Sequence, residues 1–225
     1  MIRALFILLA LTTSVSAGPW PRAEDEGFVS FSLDLDVQEF DNNFVSSYLE
    51  YGIGRDRTLI IDRQQSGDML GKTFVALRFP VGRPERQLKL AYDVGLGVVE
   101  DNAAVRFGLS IGRGWSIGQD IREKPFQWKG QWSGWWSVDT RTLVFRDGVN
   151  GIFETDITFG AQLTPRLKSI SQVQTGAPFD GNAFAKFAQS FAYQMSEKRH
   201  YVLGITHGIH DVDVLQVNLG FWQDF

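Results

Sequence analysis

The sequence predicts an all-β fold: an antiparallel barrel of about twelve strands in one up-and-down meander, with about ten and fourteen as its bounds. Three observations carry this reading. Apolar and polar residues alternate with period two from Phe28 onward. One parity is almost uniformly apolar, while the other mixes charge with glycine. Neither a helical stripe nor a domain linker interrupts the rhythm. The stretch Leu215 to Phe225 shows it most plainly. Leu215, Val217, Leu219, Phe221 and Phe225 share one side, and Gln216, Asn218, Gly220, Trp222 and Asp224 share the other.

Composition narrows the class. The chain has 225 residues, enough for one domain with a sizeable interior. It has no cysteine, which excludes disulfides, thiolate metal sites and an N-terminal lipidated cysteine. Its formal charge of −4 gives no reason to expect nucleic acid as a partner. The 23 glycines, 18 phenylalanines and 7 tryptophans suit curved sheets and membrane interfaces better than helical bundles.

Residues 1–17 read as an export signal. Arg3 supplies the positive start, Ala4 to Leu11 the apolar run, and Val15-Ser16-Ala17 a small-residue cleavage site. The run is too short for a membrane-spanning helix. Cleavage after Ala17 removes Arg3 and takes the charge from −4 to −5. Residues 18–27, with two prolines and clustered charge, form an irregular leader. One domain, 28–225, follows.

The strands are expected in order. Phe28 to Val37 alternates Val29, Phe31, Leu33 and Leu35 against Ser30, Ser32, Asp34 and Asp36. Val45 to Ile53 and Thr58 to Gln65 follow, joined by a short turn at Gly54. Thr73 to Val81 tolerates Pro80 because it lies near the strand's end. Gln87 to Val98 is the clearest strand, with six apolar residues of one parity from Leu88 to Val98. Ala104 to Gly112 repeats it. Residues 113–130 break the rhythm, and so long a break is a place where function often resides. Gln131 to Leu143 resumes the alternation. Asn150-Gly151 reads as a turn before Ile152 to Gly160. Leu167 to Thr175, Phe184 to Tyr193, Arg199 to His207 and Leu215 to Phe225 complete twelve. Most segments have the length that a transmembrane strand needs, about 9–11 residues. Lipid cannot satisfy open sheet edges, so the sheet must close.

The pattern from Gly27 to Phe225 resembles the outer-membrane β-barrels of Gram-negative bacteria. The motifs WPRAEDEGFVSFSLD, YLEYGIGRDRTL and GLSIGRGW resemble those of an uncharacterised porin-like group among them. The resemblance implies a place in the outer membrane, a periplasmic leader, and outer-membrane lipids and the barrel assembly machinery as partners. It implies that Phe221 and Phe225 on the closing strand serve as the assembly signal. It brings no activity and no cofactor, and it leaves the oligomeric state open. Arg63, Ser169, Ser171 and Gln189 depart from it, being polar on the nominally lipid-facing parity.

In such a barrel the lumen displays Asp34, Asp36, Glu50, Asp62, Arg78, Lys89, Asp93, Arg106, Asp139, Arg141, Glu154, Asp156 and Lys168. Mixed charge there suits a packed ion-pair network or a polar pore. The small inward residues Ala91, Gly95, Gly97, Gly108 and Gly112 are expected to leave space. Trp20, Trp115, Trp128, Trp132, Trp136 and Trp222, with Trp135 beside them, are expected as interface anchors at one level. His207 and His210 near Asp211 and Asp213 read as a chance surface cluster, so no metal is expected. No serine has nucleophile-elbow context, so no catalytic residue is named. The function expected is a narrow, weakly selective channel with a modest cation preference. The alternatives are a structural or adhesive barrel, a soluble periplasmic ligand-binding sheet, and a barrel enzyme acting on lipid.

Overall fold

The computed structural model describes residues 18–38, 43–54, 56–66, 69–117 and 132–225. Its strands are β1 (Gly27–Asp36), β2 (Phe44–Gly52), β3 (Thr58–Ser66), β4 (Met69–Val81), β5 (Leu88–Val99), β6 (Asn102–Ile117), β7 (Trp132–Phe145), β8 (Gly151–Thr164), β9 (Leu167–Pro178), β10 (Phe184–Ser196), β11 (Arg199–His210) and β12 (Leu215–Asp224). Each pairs antiparallel with its chain neighbours, and β1 pairs with β12 to close the barrel. The closing ladder runs from Phe28 opposite Asp224 to Asp36 opposite Gln216. Closure gives every strand two partners and leaves no sheet edge.

The two parities separate as the alternation requires. On β5 and β6 the outward Leu96 and Leu109 are 69% and 65% exposed, whereas the inward Asp93 and Arg106 are 4% and 3% exposed. Among the described residues nothing covers the outward apolar band, which is what a lipid-facing surface looks like. The start of β1 and the end of β12 lie at one end, with the last residues of β2, β4, β6, β8 and β10 and the first of β3, β5, β7, β9 and β11. We call this the terminal end and the other the far end. Glu100 and Asp101 make the two-residue β5–β6 hairpin, with φ of 46° and 70°. Positive φ at both positions gives the backbone twist that flanking strands need.

Several boundaries differ from expectation. Residues 113–117 are strand, because Trp115 and Ile117 keep the outward parity and β7 begins early enough to pair with them. Arg113 lies opposite Trp136, and Ile117 opposite Trp132. The rest of the expected break, with Trp128, lies outside the described residues. The β7–β8 turn is made at Arg146-Asp147, where the Gly148 amide donates to the Phe145 carbonyl at 2.9 Å, not at Asn150-Gly151: Gly148 has φ of 71°, and Gly151 already opens β8. On the outward face, the Ser171 hydroxyl donates to Gln189 Oε1 at 2.6 Å, and Gln189 Nε2 donates to Ser169 at 3.0 Å. These three polar residues satisfy one another across β9 and β10, so lipid need not. Arg63 stands near the far end and donates to Gln65 at 3.4 Å.

Candidate functional site: the lumen

The interior is neither uniformly polar nor empty. At the far end Phe74, Ala104 and Leu143 form a buried cluster, joined by Val99, Phe145 and Ile152. At the terminal end Trp135, Ile170 and Ala192 form another, with Trp20, Val202 and Trp222 against it. Between and beside them lies a cavity of ≈ 760 Å³.

Ten of the thirteen charged residues expected in the lumen line this cavity: Asp34, Asp36, Asp62, Arg78, Asp93, Arg106, Asp139, Arg141, Glu154 and Asp156. The other three do not. Glu50 is fully buried beneath the wall. Its carboxylate accepts from Tyr48 Oη at 2.7 Å, Arg78 Nη1 at 2.8 Å and Arg22 Nε at 2.7 Å. Lys168 is buried on the inward parity at the terminal end, opposite Ala192. Lys89 sits at the terminal rim, where its ammonium donates to the Pro84 carbonyl of the β4–β5 turn. A position one residue into the strand is too near the mouth to reach the lumen.

The wall charges are organised into a network that crosses the barrel. Arg106 Nε donates to Asp93 at 3.1 Å, and its Nη1 reaches Asp62 at 3.3 Å. Arg141 lies 3.9 Å from Asp62 and also pairs with Asp156. Lys72 of β4 meets Glu154 of β8 at 2.6 Å. Asp62 belongs to β3 and its partners to β6 and β7, so the pairs form a chord and not a ladder. Burying charge of this kind is tolerable where each group is paired and hydrogen-bonded. The wall from β9 through β12 to β2 is quieter. Asn218 donates to Asp34 at 2.9 Å, Thr206 to Asn218 at 3.0 Å, and Ser32 and Ser46 share a bond of 2.8 Å.

The inward glycines are recesses for neighbours, not free space. A Cβ on Gly108 would meet the Asp93 carboxylate at 2.3 Å, and one on Gly97 the Phe74 ring at 2.6 Å. One on Gly95 would meet Ala76 at 2.7 Å. One on Gly112 would meet Trp20 at 2.8 Å.

Trp20 and Trp222 also stand elsewhere than at the membrane interface. Both pack inside, against the Trp135 cluster. For Trp222 the reason is parity, since it shares the inward side of β12 with Asn218 and Gly220. For Trp20 the reason is the path of residues 18–26, which are irregular but enter the lumen. Trp115 does face outward, stacked on Phe159 at 5.7 Å, and Trp132 is half exposed. Trp136 takes the outward parity beside Phe159. Phe221 stacks on Phe31 at 6.1 Å, and Phe225 on Tyr51 at 6.5 Å. His207 faces outward against Phe187, at 5.7 Å between rings, whereas His200 is buried near Trp222.

Two wall charges, Lys72 and Lys186, were not singled out from the sequence, and Asp213, expected in a surface cluster with His207 and His210, also lines the cavity. Extending the inward parity of the fourth strand by one step from Phe74 reaches Lys72. The parity of Ala188 and Ser190 reaches Lys186. Asp213 lies between strands, where alternation is silent.

No family model matches the chain, and no curated protein does. Solved structures do. The KdgM porin superposes with a TM-score of 0.60 at 8% identity, covering 88% of this chain and 99% of that one. The fold is that of a porin-like outer-membrane barrel. The NanC porin matches with a TM-score of 0.58 at 8% identity, over 87% of this chain and 98% of its own. An outer-membrane channel from Pseudomonas putida F1 matches at 0.55 and 11% identity, over 94% and 100%. The KdgM porin has also been solved in complex with disordered oligogalacturonate, and that structure matches at 0.59 and 7% identity, over 88% and 99%.

Proposed function

We propose that this chain is an outer-membrane channel for small polar solutes and cations, with its terminal end in the periplasm. In this reading outer-membrane lipid surrounds its apolar band, and the assembly machinery inserts it. Residues 1–17 are removed after Ala17, which the intact mass of protein from the native host checks. The observation that carries the channel is the charge balance of the cavity wall: eight carboxylates stand against five cationic side chains. A polyanion such as the oligogalacturonate solved with the KdgM porin fits this lumen poorly. Arg106 and Arg141 are each already engaged by wall carboxylates, and Arg78 by the buried Glu50. The surplus acid instead favours cations, and the hydroxyl and amide groups that stand among Asp34, Asp36, Lys186 and Asp213 from β9 to β2 suit small polar solutes.

The test is current through purified protein in a planar bilayer, with the reversal potential read in a potassium chloride gradient. A cation-selective sign is expected. An anion-selective sign overturns the charge argument. Current no greater than that of an empty bilayer, from this protein and from the leader-deleted form described below, leaves a closed structural barrel.

A further inference from the structure

We propose that residues 18–26 are a displaceable internal plug that gates the lumen from the terminal end. This proposal rests on the channel reading and names its regulation.

The leader enters the barrel and makes its contacts around most of the circumference. Arg78 Nη1 of β4 donates to the Gly18 carbonyl at 2.6 Å. Pro19 is fully buried. Trp20 packs against the buried cluster that Trp135 of β7, Ile170 of β9 and Ala192 of β10 form, as Val202 of β11 and Trp222 of β12 also do. The Arg22 amide donates to Thr58 of β3 at 2.9 Å. Its guanidinium binds Glu50 of β2 at 2.7 Å, stands 3.5 Å from Asp224 of β12, and lies over the Phe28 ring at 4.7 Å. Gly18 is the one leader residue on the cavity wall among those described, so the leader borders the cavity there.

The attachment is built to be left. Every ladder bond of the barrel survives without residues 18–22, because β1 starts at Gly27 and closes on β12 by itself. The leader's backbone pairing is confined to its exit, where the Asp25 amide donates to Gly52 at 3.2 Å and the Gly52 amide donates to Glu26 at 2.9 Å. Asp25 there has φ of 63°, a turn that redirects the chain from wall to lumen. When Arg22 leaves, Glu50 keeps Arg78 and Tyr48. The buried carboxylate is therefore never stranded, and withdrawal avoids the large cost of an unpaired interior charge. The other holds are the Arg78–Gly18 and Arg22–Thr58 hydrogen bonds, the Arg22–Asp224 pair, the buried Pro19 and Trp20 against its cluster, all made by residues 18–22 and none part of the ladder.

The experiment compares the protein with a form lacking residues 18–23 behind the unchanged signal. A second form, Trp20→Ala with Arg22→Ala, keeps the chain length and serves where the deletion fails to show the gel mobility of a folded barrel. Each is read in two ways. The first is planar-bilayer conductance. The second is maleimide labelling of Ser137→Cys in intact barrels, which is free of background because the chain has no cysteine. Ser137 is fully buried, and a Cβ on Gly18 would lie 3.4 Å from its own. We expect labelling to be slow with the leader present and at least about tenfold faster without it. We expect conductance to rise by roughly threefold or more, since a twelve-stranded barrel is wider than its side chains alone fill. Equal labelling and equal conductance in folded barrels overturn the plug. Faster labelling with no current in any form shows a seated leader in a barrel that is no channel. That result removes the channel reading, and the gate with it.

Discussion

Replacing Arg106 by Met tests whether the charged chord holds the barrel's interior together. Arg106 is 3% exposed and bonds two carboxylates, Asp93 at 3.1 Å and Asp62 at 3.3 Å. Methionine keeps much of the stem over Phe74, whose ring lies 5.7 Å from the guanidinium, so the change removes charge more than packing. Breaking a buried pair by deleting one partner costs about 3–5 kcal/mol, mostly from the charge left behind. Here relief is partial. Asp62 retains Arg141 at 3.9 Å, and Asp93 faces Arg78 across the β4–β5 ladder. The loss should therefore fall near the lower end, about 3 kcal/mol. Adding Asp93→Asn removes one stranded charge and should recover about 1–2 kcal/mol. The assay is urea unfolding of barrels in lipid, followed by tryptophan fluorescence and by unheated gel mobility. A single-variant loss under about 1 kcal/mol, or a double variant no more stable than the single, refutes the chord as a structural element.

Three further outcomes follow from the same geometry. Val94→Arg puts a charge on the lipid face and should cost about 2–4 kcal/mol, whereas Ser190→Arg points into the cavity, should cost far less, and should cut conductance; equal damage from both contradicts the face assignment. Deleting Phe225 removes its stacking on Tyr51 and the two backbone bonds of 3.0 Å with Gly27, so steady membrane levels should fall, and unchanged levels argue against any assembly role. Asp147 accepts from the amides of Asn150 at 2.9 Å and Val149 at 3.0 Å, which hold its carboxyl below the ordinary carboxylate range. Its support of the β7–β8 turn is thus full above that ordinary range and is lost as pH falls through the lowered value. Asp147→Ala should loosen the turn at neutral pH, as amide exchange of residues 146–150 will show, and should make it insensitive to acid.

Alternation made the barrel legible because period two is a direct image of two solvents, lipid outside and lumen inside. That signal reports a side, not a depth or a partner. It placed Asp93 and Arg106 inward, but not their bond to each other or the reach of Arg106 across to Asp62 on β3. It also led Gly97 and Gly108 to be read as space, when the missing Cβ is what lets Phe74 and Asp93 lie flat against the wall. Trp222 was readable as inward from its own parity, yet the general preference of tryptophan for interfaces pointed the other way. The leader was the least legible part. It has no period, and Trp20-Pro21-Arg22 reads as linker until the ring of partners from β2 to β12 is in place.

The same facts explain why strand number is a poor guide to the opening of this barrel. Twelve strands enclose more room than side chains of one layer can fill. Three separate devices take up that room. The far-end cluster around Phe74 and Leu143 fills one sector with apolar volume. The Arg106–Asp62–Arg141 chord ties strands that are not neighbours in the sheet. The leader supplies the third, from outside the sheet altogether. The first two are parts of the wall and cannot leave without cost to the fold. The leader alone is dispensable to the ladder, so it is the only one of the three that can vary the aperture while the barrel stays shut.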